Sequence, residues 1–231
     1  MHRHIVVLTG AGISAESGIP TFRAPDGHGP ALWDDYDIDD VATPAGYARN
    51  PELVYTFYRA RRAAGAAAEP NAAHVALAEL ARHRDVLVVT QNVDDLHERA
   101  GLPSRRLIHM HGQLRTALCP VCLSRIPGGE YGERCSACGA GILRPDVVWF
   151  GERPYEMARI ERAVADADLF VAIGTSGEVY PAAGLVDIAE EFAVPTVEVN
   201  LAATSGSFDR TILGPATVTV PALVRELLAE D

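Results

Sequence analysis

The feature that most constrains this chain is a series of short apolar runs alternating with segments of helical periodicity, the first run ending in a glycine-rich turn. His4-Ile5-Val6-Val7-Leu8-Thr9 reads as a buried strand and passes directly into Gly10-Ala11-Gly12-Ile13-Ser14-Ala15-Glu16-Ser17-Gly18. Comparable runs recur at Val86 to Val89, Leu107-Ile108, Val147-Val148, Leu169 to Ile173 and Thr196 to Val199. Continuous apolar strands alternating with helices belong to a parallel sheet covered on both faces. The expected class is α/β, a doubly wound parallel sheet built from 1–31, 84–114 and 145–231. Two stretches break the alternation. The stretch 32–83 is helical throughout and 115–144 carries all the cysteines, and together they are expected to form a small second lobe.

Helix starts in the first insertion are legible. Thr43-Pro44 and Asn50-Pro51 each place a capping side chain before a proline at the first helical position, and Asn71 caps a third helix. The Ala-rich run Ala63 to Ala68 contains Gly65 and reads as a fraying helix end, and Pro221 as the start of a last helix over 222–229.

A chain of 231 residues that is 48% hydrophobic is long and apolar enough for a sizeable core. Its formal charge of -11 argues against nucleic acid as a partner, because neutralising phosphates takes clustered Lys and Arg. No apolar run reaches the ~18 residues of a membrane span, and no signal-like segment opens the chain. A cytoplasmic protein with no membrane partner is the expectation.

The cysteines fall in Cys119-Pro120-Val121-Cys122 and Cys135-Ser136-Ala137-Cys138, a C-x2-C-x12-C-x2-C pattern. Paired spacings of this kind supply four thiolates to a tetrahedral Zn2+, one per chain. Four protein ligands leave no open position for water or substrate, so the metal's role is structural.

Further segments carry chemistry. The first turn departs from the usual dinucleotide fingerprint, its spacing being G-x-G-x5-G. Gly10 and Gly12 still let backbone approach a pyrophosphate, and the following helix offers amides and a positive dipole end. Gly174-Thr175-Ser176 and Asn200 follow later strands and point into the same carboxyl-edge crevice. Gln91-Asn92-Val93-Asp94 follows the strand at 86–89, with Asp94 equally able to cap a helix over Leu96 to Arg99. His111 stands just past a strand end and before a glycine, a place suited to proton transfer, although a lone histidine is more often a core residue.

Taken in order, Gly10-Ala11-Gly12-Ile13-Ser14, Gly18-Ile19-Pro20-Thr21-Phe22-Arg23, Gln91-Asn92-Val93-Asp94, His109-Met110-His111-Gly112, the two cysteine pairs, Val147-Val148-Trp149-Phe150-Gly151-Glu152 and Gly174-Thr175-Ser176 resemble the sirtuins across nearly the whole chain. The resemblance implies a Rossmann-like NAD-binding domain, a zinc-bearing small domain and an NAD-dependent protein-lysine deacylase acting on acylated lysine side chains. Its products would be free lysine, nicotinamide and O-acyl-ADP-ribose. By position, the resemblance makes His111 the general base. Asn92 and Asp94 would hold the ribose and the nicotinamide carboxamide, with Phe22 and Arg23 at the leaving-group pocket. Gly174, Thr175 and Ser176 would face the phosphates and adenosine ribose, and Asn200, Leu201 and Ala216 the adenosine end. Val148-Trp149-Phe150-Gly151 resembles the segment that pairs with substrate backbone as an added strand. Asp26-Gly27-His28-Gly29-Pro30 is expected to be a mobile lid over the cofactor.

Phe57-Tyr58-Arg59-Ala60-Arg61-Arg62 resembles the segment of desuccinylase-like sirtuins in which a Tyr and an Arg three residues later bind an acidic acyl chain. At i and i+3 Tyr58 and Arg61 share one helix face, and a guanidinium with a phenol suits a succinyl or malonyl carboxylate. The alternatives are a solvated basic face with Tyr58 as core, giving a deacetylase with no acidic-acyl preference, or an NAD-dependent mono-ADP-ribosyltransferase or NAD hydrolase.

Overall fold

A computed structural model of the chain describes residues 4–21 and 36–229. Its centre is a six-stranded, wholly parallel sheet of β1 (His4–Thr9), β2 (Asp85–Thr90), β3 (Leu107–His109), β7 (Leu169–Ile173), β8 (Thr196–Asn200) and β9 (Arg210–Leu213). The spatial order is β3-β2-β1-β7-β8-β9. The order reverses between β1 and β7, and a crevice opens there at the carboxyl ends of the strands. Side chains alternate across the sheet. Ile5 and Val7 join one core with Leu77 and Leu80 of the helix Ala72–His83 and Val220, Leu223 and Val224 of the helix Ala216–Ala229. Val6 and Leu8 join the opposite core with Ile160 and Val164 of the helix Met157–Ala165 and Leu185 and Ala189 of the helix Leu185–Glu191.

The second lobe has its own core. A three-stranded antiparallel sheet, β5 (Arg125–Pro127), β4 (Gly112–Leu118) and β6 (Arg144–Val147) in that order, packs against the long helix Pro51–Ala67. Val54, Tyr55, Phe57 and Tyr58 of that helix bury with Leu114, Tyr131, Leu143 and Trp149, so the two insertions share one interior.

Several expectations shift. Val147-Val148 does not join the parallel sheet, because β6 pairs antiparallel with β4 and stops at Val147. The sixth parallel strand is β9, whose Arg-Thr-Ile-Leu sequence is largely exposed at the sheet edge and gives no apolar run. Helix Ala72–His83 packs on the large sheet, so the helical part of the small lobe ends near Ala68 and not at 83. The Ala-rich run does not fray. The helix continues through Ala67 because Gly65 is buried near Asp94 and its carbonyl accepts from Arg99. Pro221 lies inside the last helix, which starts five residues earlier, where the Pro215 carbonyl accepts from Val218 and Thr219. The caps at Thr43, Asn50 and Asn71 are formed as read, each side chain accepting from an amide two or three residues on.

The lobes are joined directly after β3, where β4 leaves the large sheet at Gly112. Gly112 has φ of +82°, and a Cβ there would collide with the Asp146 carbonyl oxygen of β6. Gly112→Ala is expected to destabilise the protein by at least about 2 kcal/mol, lowering the melting temperature by about 4–8 °C at this chain length. An unchanged melting curve would show that the junction tolerates a side chain.

Candidate functional site

A cavity of about 560 Å³ runs from the β1–β7 switch point to the seam between the lobes. The glycine turn shapes one end. A Cβ on Gly10 would lie 2.6 Å from the Gly174 carbonyl oxygen, and one on Gly12 would lie 2.7 Å from the Gly174 Cα. Gly174 itself has φ of +60° and faces the Ile13 amide. These glycines are required first by backbone packing against backbone, and this packing brings the turn to the cavity wall. The following helix is one turn long, Gly12–Ala15, and its Ile13 and Ser14 amides already serve the Gly10 and Ala11 carbonyls. The expected open row of helix amides is thus reduced.

Across the crevice, the polar side chains hold one another in place. The Gln91 amide donates to the Thr175 hydroxyl at 3.0 Å, and the Asn200 amide donates to the Thr175 carbonyl at 2.8 Å. Asn92 spends its amide nitrogen on the Gly10 carbonyl (3.0 Å) and the Ser14 hydroxyl (3.1 Å), leaving its carbonyl oxygen as an acceptor at the cavity. Ser14 and Asp94 sit one layer behind Asn92 and do not line the cavity. The Ser14 hydroxyl donates to Asp94 Oδ2 at 3.2 Å, and Asp94 Oδ1 accepts from the Leu96 amide, so the helix-start role is also present. Burial raises the Asp94 carboxyl above its ordinary value, an effect the Leu96 and Ser14 hydrogen bonds oppose. Ile13 is fully buried in the core and faces away from the cavity.

Behind this layer lies a buried chain that the sequence did not disclose. Thr9 and Thr90, register partners on β1 and β2, are joined hydroxyl to hydroxyl at 2.9 Å, and Thr90 Oγ1 accepts from the Asn92 backbone N–H. Because Thr9 spends its proton on Thr90, it must accept from His97 Nε2 at 3.0 Å, which fixes that imidazole's tautomer. Burial keeps His97 neutral far below its ordinary range and pushes His74, near Ser14, down to about 4. The available signal was a threonine closing each of two neighbouring apolar strands. His109 contacts Glu98 at 2.9 Å and the Asn92 backbone carbonyl at 3.3 Å, so it braces the same turn.

His111 lines the cavity. Its Nδ1 lies 3.2 Å from the Gln91 carbonyl, which can only accept, so Nδ1 carries the proton and Nε2 keeps its lone pair. Burial lowers its pKa, and the Gln91 carbonyl partly offsets this. The imidazole is therefore a neutral base at ordinary pH. At the small-lobe end, Tyr58 and Arg61 both line the cavity. The Tyr58 hydroxyl accepts from the Trp149 indole at 3.1 Å, and burial pushes its pKa up to about 12, so it remains a phenol. Burial lowers the Arg61 pKa, while Tyr58 and Asp94 act to raise it. Trp149 is fixed in turn by the Arg144 guanidinium, 4.0 Å above its ring, and Arg144 is paired to Glu152 at 2.7 Å.

Val148, Trp149, Phe150 and Gly151 form a loop along the cavity, not a strand. The amides of Val148, Trp149 and Phe150 already serve the His111 carbonyl, the Glu152 carboxylate and the Ala42 carbonyl. An added strand would have to rely on the segment's other backbone groups. Ala11, Val93, Ser176, Leu201 and Ala216 also line the cavity. Phe22, Arg23 and the expected lid at Asp26 to Pro30 lie outside the described residues.

The Sir2 family model matches residues 10–181. The chain belongs to the Sir2 family. It is 52% identical over 236 residues to an NAD-dependent protein deacylase of Caulobacter vibrioides, covering 97% of each chain. It is 52% identical over 240 residues to a namesake from Shewanella oneidensis, covering 99% of this chain and 96% of that one. Among solved structures, a Sir2 homologue in complex with NAD superposes with a TM-score of 0.87 at 39% identity, covering 99% of this chain and 91% of that one. A Sir2 bound to acetylated peptide superposes with a TM-score of 0.83 at 28% identity, covering 97% and 93%.

The Sir2-family small lobe also holds the metal site. The four thiols are unbridged, with Cys119 and Cys135 buried and Cys122 and Cys138 exposed, and all four sulfurs lie within 4.8 Å of one another. Cys119 and Cys138 are 3.7 Å apart and Cys122 and Cys135 3.8 Å. A tetrahedron with Zn–S bonds of about 2.3 Å has edges of about 3.8 Å, so the donors fit zinc as they stand. Cys135→Ser is expected to abolish stoichiometric zinc on elemental analysis and to lower the melting temperature, whereas full zinc retention would contradict a four-thiolate site. For His111, the acidic limb of the pH profile of kcat/KM is expected below 6.5, since a base of lowered pKa stays unprotonated to lower pH. A limb above 6.5 would assign the titration to another group.

Proposed function

We propose that this Sir2-family enzyme, an NAD-dependent protein deacylase, removes succinyl and malonyl groups, and acetyl as well, from lysine side chains of proteins. One observation carries the acidic-acyl preference: Arg61 and Tyr58, a turn apart on the helix Pro51–Ala67, line the same cavity as His111. A guanidinium in a half-buried setting attracts a carboxylate more strongly than it would in water. Because the Tyr58 hydroxyl already accepts from Trp149, its own proton is free to be donated to the same carboxylate. An acetyl group offers neither residue a partner.

NAD, when bound, supplies the ribose carbon that takes the acyl oxygen and nicotinamide as leaving group. The donor set suits it. Backbone at Gly10, Ala11 and Gly12 and the groups of Thr175 and Ser176 would meet phosphates and ribose, Asn200, Leu201 and Ala216 the adenosine, and Asn92 the carboxamide or ribose end, with Asp94 supporting Asn92 from behind through Ser14. His111 would take a ribose hydroxyl proton on Nε2, its Nδ1–H remaining on the Gln91 carbonyl throughout. The half-buried imidazole keeps competing water away from that transfer. The Val148 to Gly151 loop would carry the peptide bearing the acylated lysine.

Truncating one partner of a buried charge pair costs ~2–5 kcal/mol, and each ~1.4 kcal/mol is tenfold. Arg61→Met is expected to lower kcat/KM for a succinyl-lysine peptide more than tenfold while leaving the matched acetyl-lysine peptide nearly unchanged. Tyr58→Phe should act in the same direction and less. Equal losses on both peptides would make the pair structural and leave a plain deacetylase.

A further inference from the structure

Glu198, on β8, is 1% exposed, and the chemistry above makes no use of it. A buried carboxylate is costly unless it is paired or fully hydrogen-bonded. Among the described residues Glu198 has no ion pair. Its Oε2 accepts from the hydroxyl of Thr211, its register partner on β9, at 3.3 Å. Its Oε1 accepts from the Thr204 amide at 2.9 Å. Thr204 lies in the segment 201–205 after β8, all of which lines the cavity. On its other side, Thr204 packs against Gly177, where a Cβ would stand 3.3 Å from the Thr204 Cβ. Gly177 has φ of +67° and follows Ser176 in the loop after β7. One buried carboxylate thus ties the two loops beyond β7 and β8 to the sheet, at the end of the cavity marked by Asn200.

We propose that Glu198 is a positioning residue for the adenosine half of NAD. By clasping the Thr204 amide from beneath, it holds the 201–205 wall against the 174–177 loop, so that the adenosine pocket is formed before NAD arrives. An irregular loop without this tie would have to be ordered by the ligand, and that cost would appear as weaker NAD binding. Glu198 is hydrogen-bonded to Thr204 and Thr211, whereas His111 is held by Gln91, so the acyl peptide and the chemical step should not respond. The inference rests on NAD occupying this cavity.

The test is steady-state kinetics of the full chain, with NAD and acyl-peptide varied separately. Glu198→Val is expected to raise KM for NAD about tenfold, the size of one lost charge-assisted hydrogen bond. kcat at saturating NAD and KM for the peptide should stay within about twofold of the starting protein. Glu198→Gln, whose carbonyl can still accept from Thr204 and whose amide can donate to the Thr211 hydroxyl, should restore KM for NAD. Glu198→Asp keeps the charge but withdraws it by one methylene. It carries the same expectation as Glu198→Val and serves if that variant does not fold. An unchanged KM for NAD, or a fall in kcat together with a rise in both KM values, would overturn the role. Ser176→Trp, which fills the same end of the cavity, separates the two failures. If it raises KM for NAD while the Glu198 variants do not, only the role of Glu198 falls. If it leaves KM for NAD unchanged, the placement of NAD in this cavity falls.

Discussion

The Gly12 amide donates to the Gly174 carbonyl at 2.9 Å, and Gly10 and Gly12 meet the Gly174 backbone at distances no side chain survives. This contact lies where the strand order reverses, and the rest of the site is arranged around it. It brings the turn after β1 onto the loop after β7, which makes the crevice narrow. The Asn92 and Gln91 side chains then bridge from the turn after β2 to Gly10 and Thr175. The same glycines that a nucleotide site would need for close approach are already required for the fold. A glycine-rich turn at this position is therefore evidence about packing first and about ligand second.

Beneath the crevice the polar groups are ordered in layers. Thr9, Thr90 and His97 form one hydrogen-bonded chain, and Ser14, Asp94 and His74 another, and both end on Asn92. Burying so many polar atoms is tolerable only when partners are supplied, because an unmet buried donor or acceptor costs about 1–3 kcal/mol. What the arrangement achieves is a fixed amide at the cavity wall. The same device recurs at the small-lobe end, where Glu152 holds Arg144, Arg144 stacks on Trp149 and Trp149 donates to Tyr58. Both ends of the cavity thus present one or two groups whose orientation is set by partners deeper in the protein.

The zinc module and the helix Pro51–Ala67 matter to function through their shared core. Tyr55, Phe57 and Tyr58 bury against Leu114 of β4 and against Tyr131 and Leu143 of the cysteine-bearing insertion, with Cys119 and Cys135 in the same interior. Loss of the metal would loosen the packing that orients the face bearing Tyr58 and Arg61. The Val148 to Gly151 loop is tied in as well, through the Phe150 amide on the Ala42 carbonyl and the Val148 amide on the His111 carbonyl.

Five strands of the parallel sheet, the cysteine tetrad, the helix caps and the order of the chemical motifs were legible along the chain, because each is a local pattern: an apolar run, a fixed spacing, a capping residue before the helix. The edge strand β9 escaped notice because its largely exposed residues carry no apolar run, and Pro221 misplaced a helix start that lies five residues earlier, just after Pro215. Whether a residue faces the cavity was decided only by tertiary structure. Ile13, Ser14 and Asp94 belong to the same motifs as Gly12 and Asn92 yet lie in the core or one layer behind, since a one-turn helix and a tight turn point successive side chains in different directions. The buried threonine–histidine chain and the Glu198 tie join residues from different strands and loops, and no spacing along the chain encodes a contact made across a sheet.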